Sequence, residues 1–295
     1  MRRELQTSAF WRAGVAEFLA TTVFVFMGTG SATGWNPPGT APDIVQIALT
    51  FGLTIGTLAQ CVGHVSGAHL NPAVTLGLLT GCHISLARAA LYVAAQMLGA
   101  VAGSGILYGV TPTSANSTLG ANALGKDVTP GQGVGVELIV TLQLVLCVFA
   151  TTDKRRSDLS GSGPLAIGIS VVIGHLLAIG FTGCGMNPAR SFGPAVVTGL
   201  FQNHWVYWVG PLVGGIVAAL VYDFVLAPRL NVAERLKVLL NGRLEDYDEE
   251  GNLEKHRVEM KPKSADAHRA SECGTLLEGP RSSESGVSPG SSWER

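Results

Sequence analysis

Gly67-Ala68-His69-Leu70-Asn71-Pro72-Ala73-Val74-Thr75 and Gly183-Cys184-Gly185-Met186-Asn187-Pro188-Ala189-Arg190-Ser191 are one stretch written twice. Each copy closes a long apolar segment. Residues 49–75 lie over residues 165–191 without a gap: Leu49 meets Leu165, Gly52 meets Gly168, Gly67 meets Gly183, and the Asn-Pro-Ala triplets coincide. A gapless match of this length is an internal repeat, and the repeat governs the reading of everything else.

Asn is a favoured helix N-cap and Pro a favoured first helical residue, so a helix starts at each triplet. The apolar stretches that follow, residues 73–79 and 189–197, are too short to cross a bilayer, which needs roughly 20 residues. They are half-helices entered through irregular backbone. Such backbone is tolerated at membrane depth only where it is buried in protein or lines a water-filled cavity.

Six other stretches are long and apolar enough to span: residues 9–30, 44–63, 87–109, 133–152, 164–181 and 205–226. The first is too long for a cleaved leader and contains Glu17. Glu17 with Thr21 in span one is echoed by Glu137 with Thr141 in span four. Each half is therefore three spans with a triplet between its second and third. Three is odd, so the second half enters the membrane inverted. The fold class is an all-α membrane protein of six transmembrane helices and two re-entrant half-helices, arranged as an inverted-topology repeat. The domains follow as an N-terminal segment 1–8, a membrane-spanning domain 9–229 (repeats 9–110 and 133–229) and a tail 230–295.

Charge supports that division. The chain is 14% charged, against about 25% in soluble domains. Of its 41 Asp, Glu, Lys and Arg residues, 13 lie in residues 13–226 and 24 in residues 227–295. The tail opens with an amphipathic pattern (Val232, Leu236, Leu239, Leu240), and residues 261–295 have the composition of a disordered segment. Arg2, Arg3, Arg12, Arg88 and Asp153-Lys154-Arg155-Arg156 mark one side as cytoplasmic; residues 31–43 and 198–204 carry no Lys or Arg, and residues 111–132 only Lys126. Both termini are then inside. On the outside, Asn116-Ser117-Thr118 is an N-glycosylation acceptor, and a bare sequon reads equally well. Arg155-Arg156-Ser157 matches a basic-directed kinase pattern that also arises by chance.

Inverted halves bring two half-helices together N-terminus to N-terminus. Their dipoles place about half a positive charge each at mid-membrane. Asn71 and Asn187 can turn amide donors to the lumen, while the loops over Gly67, Ala68 and His69 and over Gly183, Cys184 and Gly185 offer carbonyls. Glu17 and Glu137 need partners, since an unpaired charge there costs several kcal/mol. Each is expected to accept hydrogen bonds from the loop of its own half. A proton relay is the alternative, which the duplication disfavours.

The repeat breaks at three positions: Ala59 becomes His175, Ala68 becomes Cys184 and Val74 becomes Arg190. The outer half is thereby made polar and narrow. Arg190 follows a cap inside the protein, where the dipole disfavours a cation, so a functional role is expected. His175 alone reads as a core histidine; its coincidence with Arg190 and Cys184 reads as a constriction. A Cys-His nucleophile lacks an orienting carboxylate. The five cysteines share no metal-like spacing, and most lie in apolar segments and read as small buried side chains, Cys184 excepted. No enzyme activity, cofactor, metal or nucleic acid is indicated.

Two Asn-Pro-Ala boxes, the second followed by Arg190-Ser191, within six spans resemble the aquaporin family over about residues 10–229. Gly63-His64-Val65-Ser66-Gly67-Ala68-His69, Thr182-Gly183-Cys184-Gly185 and Val258-Glu259-Met260-Lys261-Pro262-Lys263 are similar to its water-selective vertebrate type. The resemblance implies the aquaporin fold, a homotetramer with one pore per subunit in the plasma membrane, and an aromatic/arginine constriction of Phe51, His175, Cys184 and Arg190. The family's glycosylation site in the first outer loop is absent. The function implied is passive water passage, with the donors of Asn71, Asn187, His175 and Arg190 replacing bulk hydrogen bonds and protons and ions excluded. A mercurial-sensitive thiol is expected at Cys184, and regulators of the tail are candidate cytoplasmic partners. The competing readings are a glycerol, small-solute or gas (carbon dioxide, ammonia) facilitator, a gated ion channel, and a junction or adhesion protein. His175, and Ser191 in place of an acid, argue against the glycerol type.

Overall fold

The computed structural model describes residues 2–33, 43–158, 161–228 and 239–240. The expected tail helix, apart from residues 239 and 240, Arg229 and the 258–263 motif lie outside the described residues. Among the described residues the elements are α1 (Arg2–Leu5), α2 (Ser8–Ser31), α3 (Ile44–Ser66), α4 (Pro72–Thr80), α5 (Leu86–Val110), α6 (Pro130–Thr152), α7 (Gly163–Thr182), α8 (Pro188–Thr198) and α9 (Val206–Leu220), the last running into a π-helical turn, Val221–Leu226.

Helix starts follow the local chemistry. The side chains of Thr7, Asp43, Ser85, Thr129 and Ser162 each accept a backbone N–H at the head of the following helix, and Thr129 with Gln132 closes a capping box. Six of the helices, counting α9 with its π turn, are long and apolar enough to cross a membrane. Their outward faces carry exposed apolar side chains such as Trp11, Leu98 and Val225, as expected where the surroundings are hydrocarbon rather than water.

Packing depends on close backbone approach. α2 lies on α5, α6 on α9 and α3 on α7. A Cβ on Gly52 would stand 2.5 Å from the Gly168 carbonyl, and one on Gly99 2.5 Å from that of Phe18. Glycine at these crossings gains dispersion contact that a larger residue would forbid.

The half-helices are exchanged between the halves. α4, from the first half, packs against α9, and α8, from the second, against α5. A Cβ on Gly215 of α9 would meet the Ala73 carbonyl at 2.5 Å. Each half-helix therefore completes the other half, an arrangement with no local sequence pattern.

One face gathers Glu4, which accepts from Ser85 (2.6 Å) and Arg88 (3.1 Å), together with the His83–Asp223 pair at 2.9 Å. On the same face Arg155 bonds Asp153 and the carbonyls of Ala227 and Pro228. Asp223 is fully buried there. The Arg155 guanidinium holds the Asp153 carboxyl well below the usual carboxylate range. Arg156 pairs with Asp158 at 2.7 Å, and Ser157 between them is exposed. At the opposite end, residues 111–129 fold over the loop that precedes α8, with Gly125 N–H donating to the Phe181 carbonyl at 2.8 Å. Asn116 in that segment is half-buried, beside exposed Ser117 and Thr118.

Candidate functional site

Each triplet builds a helix N-terminus by the same bonds. The Asn71 Oδ1 accepts from Ala73 N–H at 2.8 Å, and the Asn187 Oδ1 from the N–H groups of Ala189 (2.9 Å) and Arg190 (3.3 Å). Pro72 and Pro188 occupy the first helical positions. The amide groups cross between halves: Asn71 Nδ2 donates to the Met186 carbonyl at 2.9 Å and Asn187 Nδ2 to the Leu70 carbonyl at 2.7 Å. The two N-termini are thus tied directly together. One N–H of each amide is used in the tie, and one is left for the lumen.

The loops before the triplets are conformationally costly. After Gly67 (φ 88°), Ala68 and Leu70 lie at φ 50° and 51°; after Gly183 (φ 69°), Cys184 and Met186 lie at 56° and 54°. Left-handed non-glycine residues cost about 1–3 kcal/mol each and persist only where the surroundings over-determine them. Here the surroundings are two buried carboxylates. Glu17 accepts from Ser66 Oγ (2.6 Å), His69 N–H (2.9 Å), Leu70 N–H (2.7 Å) and Gln96 Nε2 (2.8 Å). Glu137 accepts from Thr182 Oγ1 (2.6 Å), Gly185 N–H (2.8 Å) and Met186 N–H (2.7 Å). The partners Ser66, His69 and Leu70 are the repeat equivalents of Thr182, Gly185 and Met186.

Two of the positions where the repeat breaks, His175 and Arg190, come together with Phe51. The His175 and Phe51 rings stack with centroids 4.3 Å apart and planes at 23°. The Arg190 guanidinium carbon lies 4.8 Å from the centre of the Phe51 ring. Arg190 Nη1 donates to the Gly120 carbonyl at 2.8 Å, while Arg190 Nε has no protein partner among the described residues. His175 Nδ1 bonds the Val171 carbonyl at 3.0 Å, and Nε2 has no protein partner among the described residues. A carbonyl only accepts, so Nδ1 carries a proton; in the neutral ring Nε2 is then an acceptor beside the donor Arg190. Cys184 is fully buried, its N–H donating to Thr182 Oγ1 at 3.2 Å.

A cavity of about 310 Å³ runs between His175 and the face bearing Glu4 and Arg88. Asn71, Asn187, Gly67, Ala68, His69 and Gly185 line it; Gly183 and Cys184 do not. Ala59 and Ile167, the repeat equivalents of His175 and Phe51, line it too. The cavity thus meets the smaller member of each repeat pair at Ala59 and Ile167 and reaches His175; Phe51 is not among its lining residues.

The major intrinsic protein family matches residues 4–222. The chain belongs to that family. Its aquaporin relatives include aquaporin-1 of Sus scrofa, 57% identical over 271 residues, and aquaporin-1 of Homo sapiens, 57% identical over 269 residues. Aquaporin FA-CHIP of Pelophylax lessonae is 56% identical over 273 residues. Each match covers 89% of this chain and all of the relative. Among solved structures, the aquaglyceroporin of Plasmodium falciparum superposes with a TM-score of 0.67 at 26% identity, over 74% of this chain and 98% of that one. The chain is a multi-pass membrane protein with an aquaporin fold, and its closeness to aquaporin-1 supports a water channel.

Several side chains of this major intrinsic protein escaped sequence reading. Tyr92 and Tyr207 donate to the carbonyls of Ser66 (2.6 Å) and Thr182 (2.9 Å), a repeat-related pair of braces. Gln96 joins Glu17 to Thr75. Gly120 receives the arginine. Aligning span three with span six would have signalled the tyrosines. Gln96 and Gly120 carry no pattern of their own.

Proposed function

We propose that this chain is a passive, water-selective channel driven by osmotic gradients, working as a homotetramer in the plasma membrane with both termini cytoplasmic. The observation that carries the reading is the contact of Phe51 with His175 and with Arg190, His175 lining the cavity that runs past Asn71 and Asn187. In it an aromatic wall, an acceptor and a donor surround an aperture above two joined helix N-termini.

Water enters in single file. It exchanges bulk hydrogen bonds for the Nε2 of His175, the guanidinium of Arg190, the carbonyls of the two loops and the spare N–H groups of Asn71 and Asn187. Metal cations are excluded because a narrow lumen cannot replace a hydration shell whose loss costs many kcal/mol. Protons are repelled by the convergent helix dipoles and Arg190. The two asparagines, donating from opposite sides, orient the central water so that it cannot relay a proton. Glycerol passage is disfavoured by His175, which occupies the space a larger solute needs.

Swelling and conductance measured together in proteoliposomes test the assignment. The expected result is osmotic water flux above that of empty vesicles without ionic current. Current without added water flux would contradict it.

A further inference from the structure

The repeat halves fasten their re-entrant loops differently. In the first half the loop closes on itself, with His69 Nδ1 bonded to Thr75 Oγ1 at 3.1 Å and Gln96 Nε2 donating to the same hydroxyl at 3.0 Å. In the second half the equivalents are Gly185 and Ser191. Gly185 has no side chain, and a Cβ there would stand 3.1 Å from Ser191 Oγ and 3.0 Å from Glu137 Oε2. The closing bond comes from outside the loop. Ser191 Oγ donates to Asn122 Oδ1 at 2.8 Å, and Asn122 Nδ2 donates to the Thr182 carbonyl at 3.4 Å. Asn122 therefore joins the residue after Arg190 to the residue two before Cys184. Its segment also supplies the Gly120 carbonyl to Arg190 and anchors through fully buried Leu119.

We propose that Asn122 is a positioning residue for solute selectivity: it holds the loop that carries Cys184 and Arg190 at the width that passes water and rejects larger polar solutes. This rests on the constriction reading above. Without the Asn122 clamp, the Arg190 end of the loop loses its tie to Thr182, and the aperture opens without any change in the groups that face it.

The test uses full-length protein in proteoliposomes, comparing the urea-to-water permeability ratio of wild type, Asn122→Ala, Ser191→Ala, the double variant and His175→Gly/Arg190→Val. The ratio should rise about threefold to tenfold in Asn122→Ala, the factor expected for one or two net hydrogen bonds. It should rise in Ser191→Ala as well. The double variant should do no more than Asn122→Ala, because the two side chains act through one bond. An unchanged ratio in Asn122→Ala, or full additivity in the double variant, overturns the proposal. If Asn122→Ala fails to insert, Ser191→Ala decides: an unchanged ratio there overturns it too. The control separates the two readings. Urea entry in His175→Gly/Arg190→Val alone leaves the constriction standing and removes Asn122 from it; urea exclusion in every variant overturns both.

Discussion

The ring of Phe51 stacks on the imidazole of His175, with centroids 4.3 Å apart, and the Arg190 guanidinium lies 4.8 Å from the same ring. Phe51 comes from the first half and the other two from the second. A Cβ on Gly28 would overlap the Phe51 ring, so glycine in α2 makes the room in which that ring stands. The cluster is therefore a contact between halves.

Removing two sides of the aperture should relax solute exclusion. His175→Gly with Arg190→Val is expected to raise glycerol and urea permeability by about tenfold or more, since each 1.4 kcal/mol taken from a barrier is a factor of ten. Solute uptake in vesicles checks this. Unchanged uptake of both would mean that size selection lies elsewhere.

Cys184 gives a chemical probe of the loop that precedes α8. It is buried, two residues after Thr182 and next to Gly185, whose N–H bonds Glu137. Mercurials are expected to block water flux in the wild type and to leave Cys184→Ser unaffected. Block that persists in that variant would assign the reactive thiol to Cys61, Cys82, Cys147 or Cys273.

The two glutamates should matter for folding more than for flux. Glu137→Ala leaves Thr182 Oγ1 and the N–H groups of Gly185 and Met186 without their acceptor. An unsatisfied buried donor costs about 1–3 kcal/mol, so the expected outcome is a lower melting temperature in detergent and reduced yield. Proton conductance altered at unchanged stability would instead favour a relay.

Acid should weaken the face that carries Asp153. Its carboxyl is depressed chiefly by the Arg155 side chain, with Tyr222 O–H donating at 3.0 Å. A depressed folded value contributes stability above the ordinary carboxylate pKa of about 4, and that contribution is lost as pH falls toward the folded value. Asp153→Asn is expected to melt below wild type at pH 7, with the gap closing under about pH 4. A gap independent of pH would remove the ion pair from the account.

Much of this was legible because the halves repeat. The triplets fixed the half-helices by cap chemistry, and the matched positions of Glu17 and Glu137 pointed to the loops they brace. The breaks at His175, Cys184 and Arg190 pointed to asymmetry between the two ends. What stayed hidden needs three dimensions. α4 packing on α9, the crossed amide bonds of Asn71 and Asn187, and the reach of Gly120 and Asn122 into the site join residues far apart in sequence, and no periodicity records them. The tautomer of His175 depends on the Val171 carbonyl one turn back, which every helix residue has; only the ring's orientation reveals its use.

The central claim is tested most directly by stopped-flow comparison of water, glycerol and urea entry into vesicles containing the full chain. The account predicts rapid water entry, with glycerol and urea entering no faster than in protein-free vesicles. Glycerol or urea entry well above the protein-free rate, or water entry no faster than through bare lipid, would contradict it.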